Sequence, residues 1–159
     1  MKPRIVPTSL LPACALLAAL VLASLPSARS ADDVKQVTIT ANDALKFDVT
    51  EIVATPGEKI HVMLKNIGTL PKDGMGHDWI LLDSEAEANT YAMCALPDRA
   101  EGYEPKSQAK HVLASIPLLG PKEVGEITFL APTKPGKYPY ICSCSGHSMA
   151  GMKGMLIVK

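Results

Sequence analysis

The chain has 159 residues, 47% of them apolar, with 16 basic and 16 acidic side chains and a formal net charge of zero. That length supports one ordinary domain with a packed core. The balanced charge excludes a polyelectrolyte binder of nucleic acid or of an anionic membrane surface.

At the N-terminus, Lys2 and Arg4 precede the apolar run SLLPACALLAALVLA (9–23), and SARS followed by ADD supplies small residues. This is the layout of a secretory signal peptide, residues 1–30, cut after Ser30 with Ala28 and Ser30 as the small residues flanking the cut. The run is about 15 residues, short of the roughly 20 that span a bilayer, so a cleaved leader is expected rather than a membrane anchor. Cleavage removes Lys2, Arg4 and Arg29 and leaves a modest acidic excess on residues 31–159. It also removes Cys14, leaving Cys94, Cys142 and Cys144. In an exported protein paired thiols become disulfides, so an odd number means that at least one is free, bonded to another molecule or bound to metal.

Beyond the leader, apolar and polar residues alternate in VTITA (37–41), LKFDV (45–49) and IHVML (60–64). Period two over three successive segments predicts strands, and TAND, TPGE and KNIGTLPKDGMG read as the turns and loops between them. HDWILL (77–82) reads as a buried strand with Trp79 in the core. SEAEANTYAMCAL (84–96), rich in Ala and Glu and opened by Ser84 as a cap, reads as a short helix. HVLAS (111–115), EVGEITFLAP (123–132), GKYPYIC (136–142) and GMLIVK (154–159) bring the strands to eight. Such spacing without long intervening helices predicts an all-β antiparallel sandwich with one helical insertion. His61 and His111 fall within strand patterns and are expected to be structural.

The loop between the last two strands carries the chemistry. Within YPYICSCSGHSMAGMKGMLIVK (138–159), Cys142, His147 and Met152 follow one another at intervals of five residues, with Met149 as a second thioether. One thiolate, two imidazoles and a weak axial thioether make the trigonal copper site of electron-transfer proteins. A short loop cannot surround an ion, so the second imidazole must come from elsewhere. His77, at the start of a strand behind the glycines of DGMG, is the candidate.

MGHDWILL and the C-terminal segment from Tyr138 resemble the corresponding segments of the azurins, and the likeness extends over residues 33–159. The resemblance implies a cupredoxin fold, an eight-stranded Greek-key sandwich, holding one type 1 copper. It implies His77, Cys142 and His147 as equatorial ligands, Met152 as the axial thioether and the Gly76 carbonyl as a distant contact. It also implies a monomer in the periplasm that exchanges electrons with c-type cytochromes and a terminal copper or haem enzyme. The sequence departs from the azurin pattern in four places. The interval from His147 to Met152 is one residue longer, Asp78 replaces an asparagine, Cys144 and Ser145 replace a Phe-Pro pair, and the N-terminal disulfide has no cysteines. Asp78 is expected to accept backbone N–H bonds from the Cys142 loop, and Cys144 to be a free thiol near His147 rather than a ligand.

The leading function is a blue copper electron carrier, with electrons leaving through a solvent-facing edge of His147 inside an apolar rim that includes Met75 and Met149. The alternative is a copper-delivery or storage protein, which the seven methionines and Cys144 would serve. An enzyme is not expected, since a copper nitrite reductase would need a further catalytic metal and a second domain.

Overall fold

The computed structural model describes residues 34–159, so the leader lies outside the described residues. Among the described residues nine strands form two facing sheets. The four-stranded sheet runs β2 (Lys46–Phe47), β1 (Lys35–Asn42), β4 (Lys59–Asn66), β7 (Val124–Leu130). The five-stranded sheet runs β3 (Glu51–Ala54), β9 (Lys153–Val158), β8 (Gly136–Ile141), β5 (His77–Leu82), β6 (Val112–Leu119). A helical turn, α1 (Lys72–Met75), precedes β5, and the helix α2 (Glu85–Ala95) follows it. Ser84 caps α2 as expected, its side chain accepting from the Glu87 N–H at 3.3 Å.

The all-β sandwich with one helical insertion is therefore observed, with two differences in detail. The segment expected as one strand at 45–49 keeps only Lys46–Phe47, because Leu45 turns into the left-handed region (φ 55). The chain then crosses to the other sheet and forms β3, so β2 and β3 are one broken strand shared by both sheets, and counting it once restores eight. The sheets are also not wholly antiparallel: β1 pairs with β4 and β3 with β9 in parallel. Parallel neighbours require a crossover, and the passage through β2 and β3 supplies one for β1 and β4.

The sheets meet around Trp79, fully buried, with ring centroids 5.4 Å from Tyr140 and 5.9 Å from Phe129. All six residues of β5 are buried, because the facing sheet covers one side and α2 packs toward the other. This explains why HDWILL is a continuous apolar run after its first two residues. Opposite β5, the register of β6 slips so that Pro117 and Leu118 together face Asp78 alone, between the pairs His77–Leu119 and Trp79–Ile116. A bulge is where a strand tolerates a proline that cannot donate to the ladder, and it re-aims the side chains beside it. Those side chains are His77 and Asp78. Among the described residues no helix is long and apolar enough to cross a membrane.

Candidate metal centre

Strands β8 and β9 bring the two ends of the C-terminal loop together. The ladder runs past Ile141–Lys153, and the Cys142 N–H donates to the Met152 carbonyl at 3.1 Å. Between them the chain coils tightly. The Ser148 N–H returns to the Cys142 carbonyl (3.1 Å), the His147 N–H to Cys144 (2.8 Å) and the Met152 N–H to His147 (3.0 Å). The reversal uses Ser145 at φ 45 and Gly146 at φ 80. Folding thus holds Cys142, His147 and Met152 in fixed relation, and all three are buried.

β5 delivers the remote imidazole. The Nδ1 atoms of His77 and His147 lie 3.9 and 3.5 Å from the Cys142 Sγ, and the three donor atoms fall within 4.8 Å of one another. Bonds of about 2.0 Å to imidazole and 2.3 Å to thiolate, as for zinc, set at roughly 120°, would hold nitrogen and sulfur about 3.7 Å apart. The observed separations bracket that value. His147 Nε2 donates to the Gly74 carbonyl at 3.3 Å, and because a carbonyl only accepts, the Nδ1 lone pair is left free toward the sulfur.

The electrostatics fit a cation. Burial, and then the neighbouring His147, push His77 down to about 4, against opposing pulls from Asp43 and the Asn42 backbone. Burial likewise lowers His147. The imidazoles are thus neutral and ready to ligate. Burial, helped by Asp78, drives the Cys142 thiol well above its ordinary value, although backbone N–H groups of Asp78 and Cys144 point at the sulfur and oppose the rise. A buried thiol with two amide donors and no cation is what a metal ion would deprotonate on binding.

Met152 is fully buried at the base of the loop, whereas Met149 is 59% exposed. Gly76, the last residue before His77, has no room for a side chain. An added Cβ would sit 2.7 Å from the Lys72 carbonyl oxygen and 3.0 Å from the Leu118 side chain. His61 and His111 stand elsewhere, hydrogen-bonded to Thr128 and Asp83 (2.9 Å each).

Around the donors lies a polar brace, most of which the sequence does not announce. The buried Asp78 carboxyl accepts the Ser143 N–H at 2.7 Å and meets the Ser143 hydroxyl with its other oxygen. Burial raises this carboxyl to about 6 against the pull of both Ser143 bonds. The Ser143 hydroxyl also reaches the Tyr103 carbonyl (3.1 Å), while the Tyr103 hydroxyl contacts Ser145 Oγ (3.2 Å) and hydrogen-bonds the Cys144 sulfur. Tyr103 itself is buried and left-handed (φ 63). Cys144 is a free thiol, its sulfur outside the cluster of donors, and burial pushes it up to about 11. One expectation fails: His147 has no solvent-facing edge, being 3% exposed, because the α1 turn folds over it and takes its Nε2–H.

A two-sheet sandwich with a His-Cys-His cluster and a buried methionine at one end defines a cupredoxin, and its cofactor is copper. Residues 34–159 match the plastocyanin/azurin family of copper binding proteins, and the chain belongs to that family. Auracyanin-B of Chloroflexus aurantiacus is 32% identical over 119 residues, 74% of this chain but 49% of that protein, so the chain spans about half its length. Azurin of Achromobacter denitrificans is 34% identical over 125 residues, 76% of this chain and 82% of that protein. The solved structure of auracyanin A, a "blue" copper protein from Chloroflexus aurantiacus, superposes with a TM-score of 0.70 at 32% identity, covering 80% of this chain and all of that one.

Proposed function

We propose that the protein carries electrons, holding one type 1 copper between His77 Nδ1, Cys142 Sγ and His147 Nδ1, with Met152 as the weak axial donor and the Gly76 carbonyl as a distant contact. The observation that carries this is the aim of both Nδ1 atoms at one buried sulfur, 3.9 and 3.5 Å away. Bound copper supplies a one-electron Cu(II)/Cu(I) couple. The chain's part is to hold the donors still. His77 is set by a buried strand beside a bulge, Cys142 and Met152 by the last rung of a hairpin, and His147 by the Gly74 carbonyl. With His77, Cys142 and Met152 fully buried, little solvent needs to reorganise when charge changes. Buried ligands also favour a carrier over a delivery protein, which must present its ligands for exchange.

Exchange with a partner would occur where Met149 and Leu96 meet over Gly146, beside His147. A Cβ on Gly146 would lie 3.0 Å from Met149 Cε and 3.9 Å from Leu96 Cδ2. We assign residues 1–30 to a signal peptide cut after Ser30, which sends a monomer to the periplasm, where c-type cytochromes and a terminal copper or haem enzyme fit as partners. Adding Cu(II) to the purified protein should give an intense visible band from thiolate-to-copper charge transfer, and Cys142→Ser should abolish it. Persistence of the band in that variant would overturn the ligand set.

A further inference from the structure

A second feature lies outside the donor cluster. Between α2 and the β8–β9 hairpin runs a groove of about 320 Å³, whose walls include Ala88, Ala92, Met93, Ser148, Met149 and Met155. Three of the chain's seven methionines therefore line one groove, and none of His77, Cys142, His147 or Met152 does. Met93 and Met149 are each 59% exposed, so their thioethers are held at the surface instead of filling the core. Ser148 also lines the groove, with its hydroxyl enclosed rather than open to it.

The donor chemistry narrows what the groove can hold. Thioethers are neutral, soft and polarisable, and they select Cu(I) over hard divalent ions. Glu85 and Lys153, the charged residues on the groove, offset each other, so it offers no carboxylate cage for calcium or magnesium. Each methionine turns about three side-chain bonds and can close on an ion from opposite walls. We propose that this groove is a second metal site, which binds Cu(I) through Met93, Met149 and Met155. Met149 comes two residues after His147, so the groove abuts the loop that closes the proposed copper centre.

The test is a Cu(I) titration of the reduced, copper-loaded protein under anaerobic conditions, with Cu(I) supplied from its bicinchoninate complex. The parent should take up one further equivalent, with shifts confined to the Met93, Met149 and Met155 methyl resonances. The double variant Met93→Leu, Met155→Leu conserves volume and should fold. It should keep the visible band on reoxidation and bind the second equivalent at least tenfold more weakly. Cys142→Ser, which bears on the proposed ligand set alone, should still bind one Cu(I). Uptake of no second equivalent by the parent would overturn the site. So would an unchanged second equivalent in the double variant, or its loss in Cys94→Ser, which would move the metal to the half-buried thiol on α2.

Discussion

Tyr103 reaches the ligand loop from 42 residues away, and nothing near it in the sequence marks it as part of a metal centre. Its hydroxyl touches Ser145, the loop residue at φ 45, and its backbone carbonyl meets Ser143. Tyr103→Phe keeps the ring and removes the hydroxyl, at a cost of about 1 kcal/mol for one net hydrogen bond. Copper should remain bound, but the reduction potential should shift and Cys144 should react faster with a thiol reagent in the metal-free protein. An unmoved potential and unchanged reactivity would reduce Tyr103 to packing. Cys144 tests the neighbouring position: Cys144→Ser should retain one copper per chain and the thiolate band, because its sulfur lies outside the donor cluster. A lost band would make it a ligand. Met152→Leu should raise the reduction potential with copper still bound, since a weaker axial donor favours Cu(I), whereas Met149→Leu should move it less. Voltammetry with the opposite ranking would return the axial role to Met149. The cluster of His77, Cys142 and His147 was legible because ligation demands particular residue types, two of them here only five residues apart. Asp78 was legible because it adjoins a ligand. Tyr103 and the Gly74 carbonyl were not, since a hydroxyl or a backbone oxygen that arrives by tertiary folding leaves no local pattern.

Among the elements, the β8–β9 hairpin does most to place the donors, and its packing shows why one of its residues is a glycine. Tyr140 stands opposite Gly154, and an added Cβ there would fall 2.2 Å from the ring's Cζ. The ring cannot step aside, because it packs on Trp79 and Phe47 and its hydroxyl donates to the Val49 carbonyl at 2.8 Å. Gly154→Ala should therefore destabilise the fold by about 1–3 kcal/mol, as overpacking does, seen as a lower urea midpoint with an unchanged slope. A midpoint equal to the parent's would mean that the ring yields easily. Strands of this hairpin could be read from composition because they are long and flanked by Gly and Pro. β3 escaped for the opposite reason. Its four residues alternate as exposed Glu51 and Val53 with buried Ile52 and Ala54, too brief a pattern to distinguish from the approach to the TPGE turn. The parallel pairings were also beyond reach, because period two reports which face a residue takes and is silent on the direction of its neighbour.

At the scale of the molecule, the copper end of the sandwich has to be closed enough to keep the donors dry and open enough for a partner to approach. Both come from covering His147 on two sides. The α1 turn takes its Nε2–H, and Met149 with the 39% exposed Leu96 forms an apolar surface over Gly146. Residues 31–159 carry only a modest acidic excess, so association at this surface rests on apolar contact more than on long-range steering. A charge placed there would have to shed its hydration whenever two molecules dock. Leu96→Lys should thus slow electron self-exchange by about tenfold, roughly the 1.4 kcal/mol that modest desolvation costs. Its visible spectrum should match the parent's, because Leu96 lies outside the donor set. Salt separates this from simple repulsion between like charges. Repulsion between the two introduced lysines is screened at 1 M ionic strength, where the Debye length is about 3 Å, whereas the desolvation penalty persists. Line-broadening measurements on mixed oxidised and reduced protein at low and high salt would read both. A rate that equals the parent's, or that recovers fully at high salt, would place the exchange surface away from Leu96.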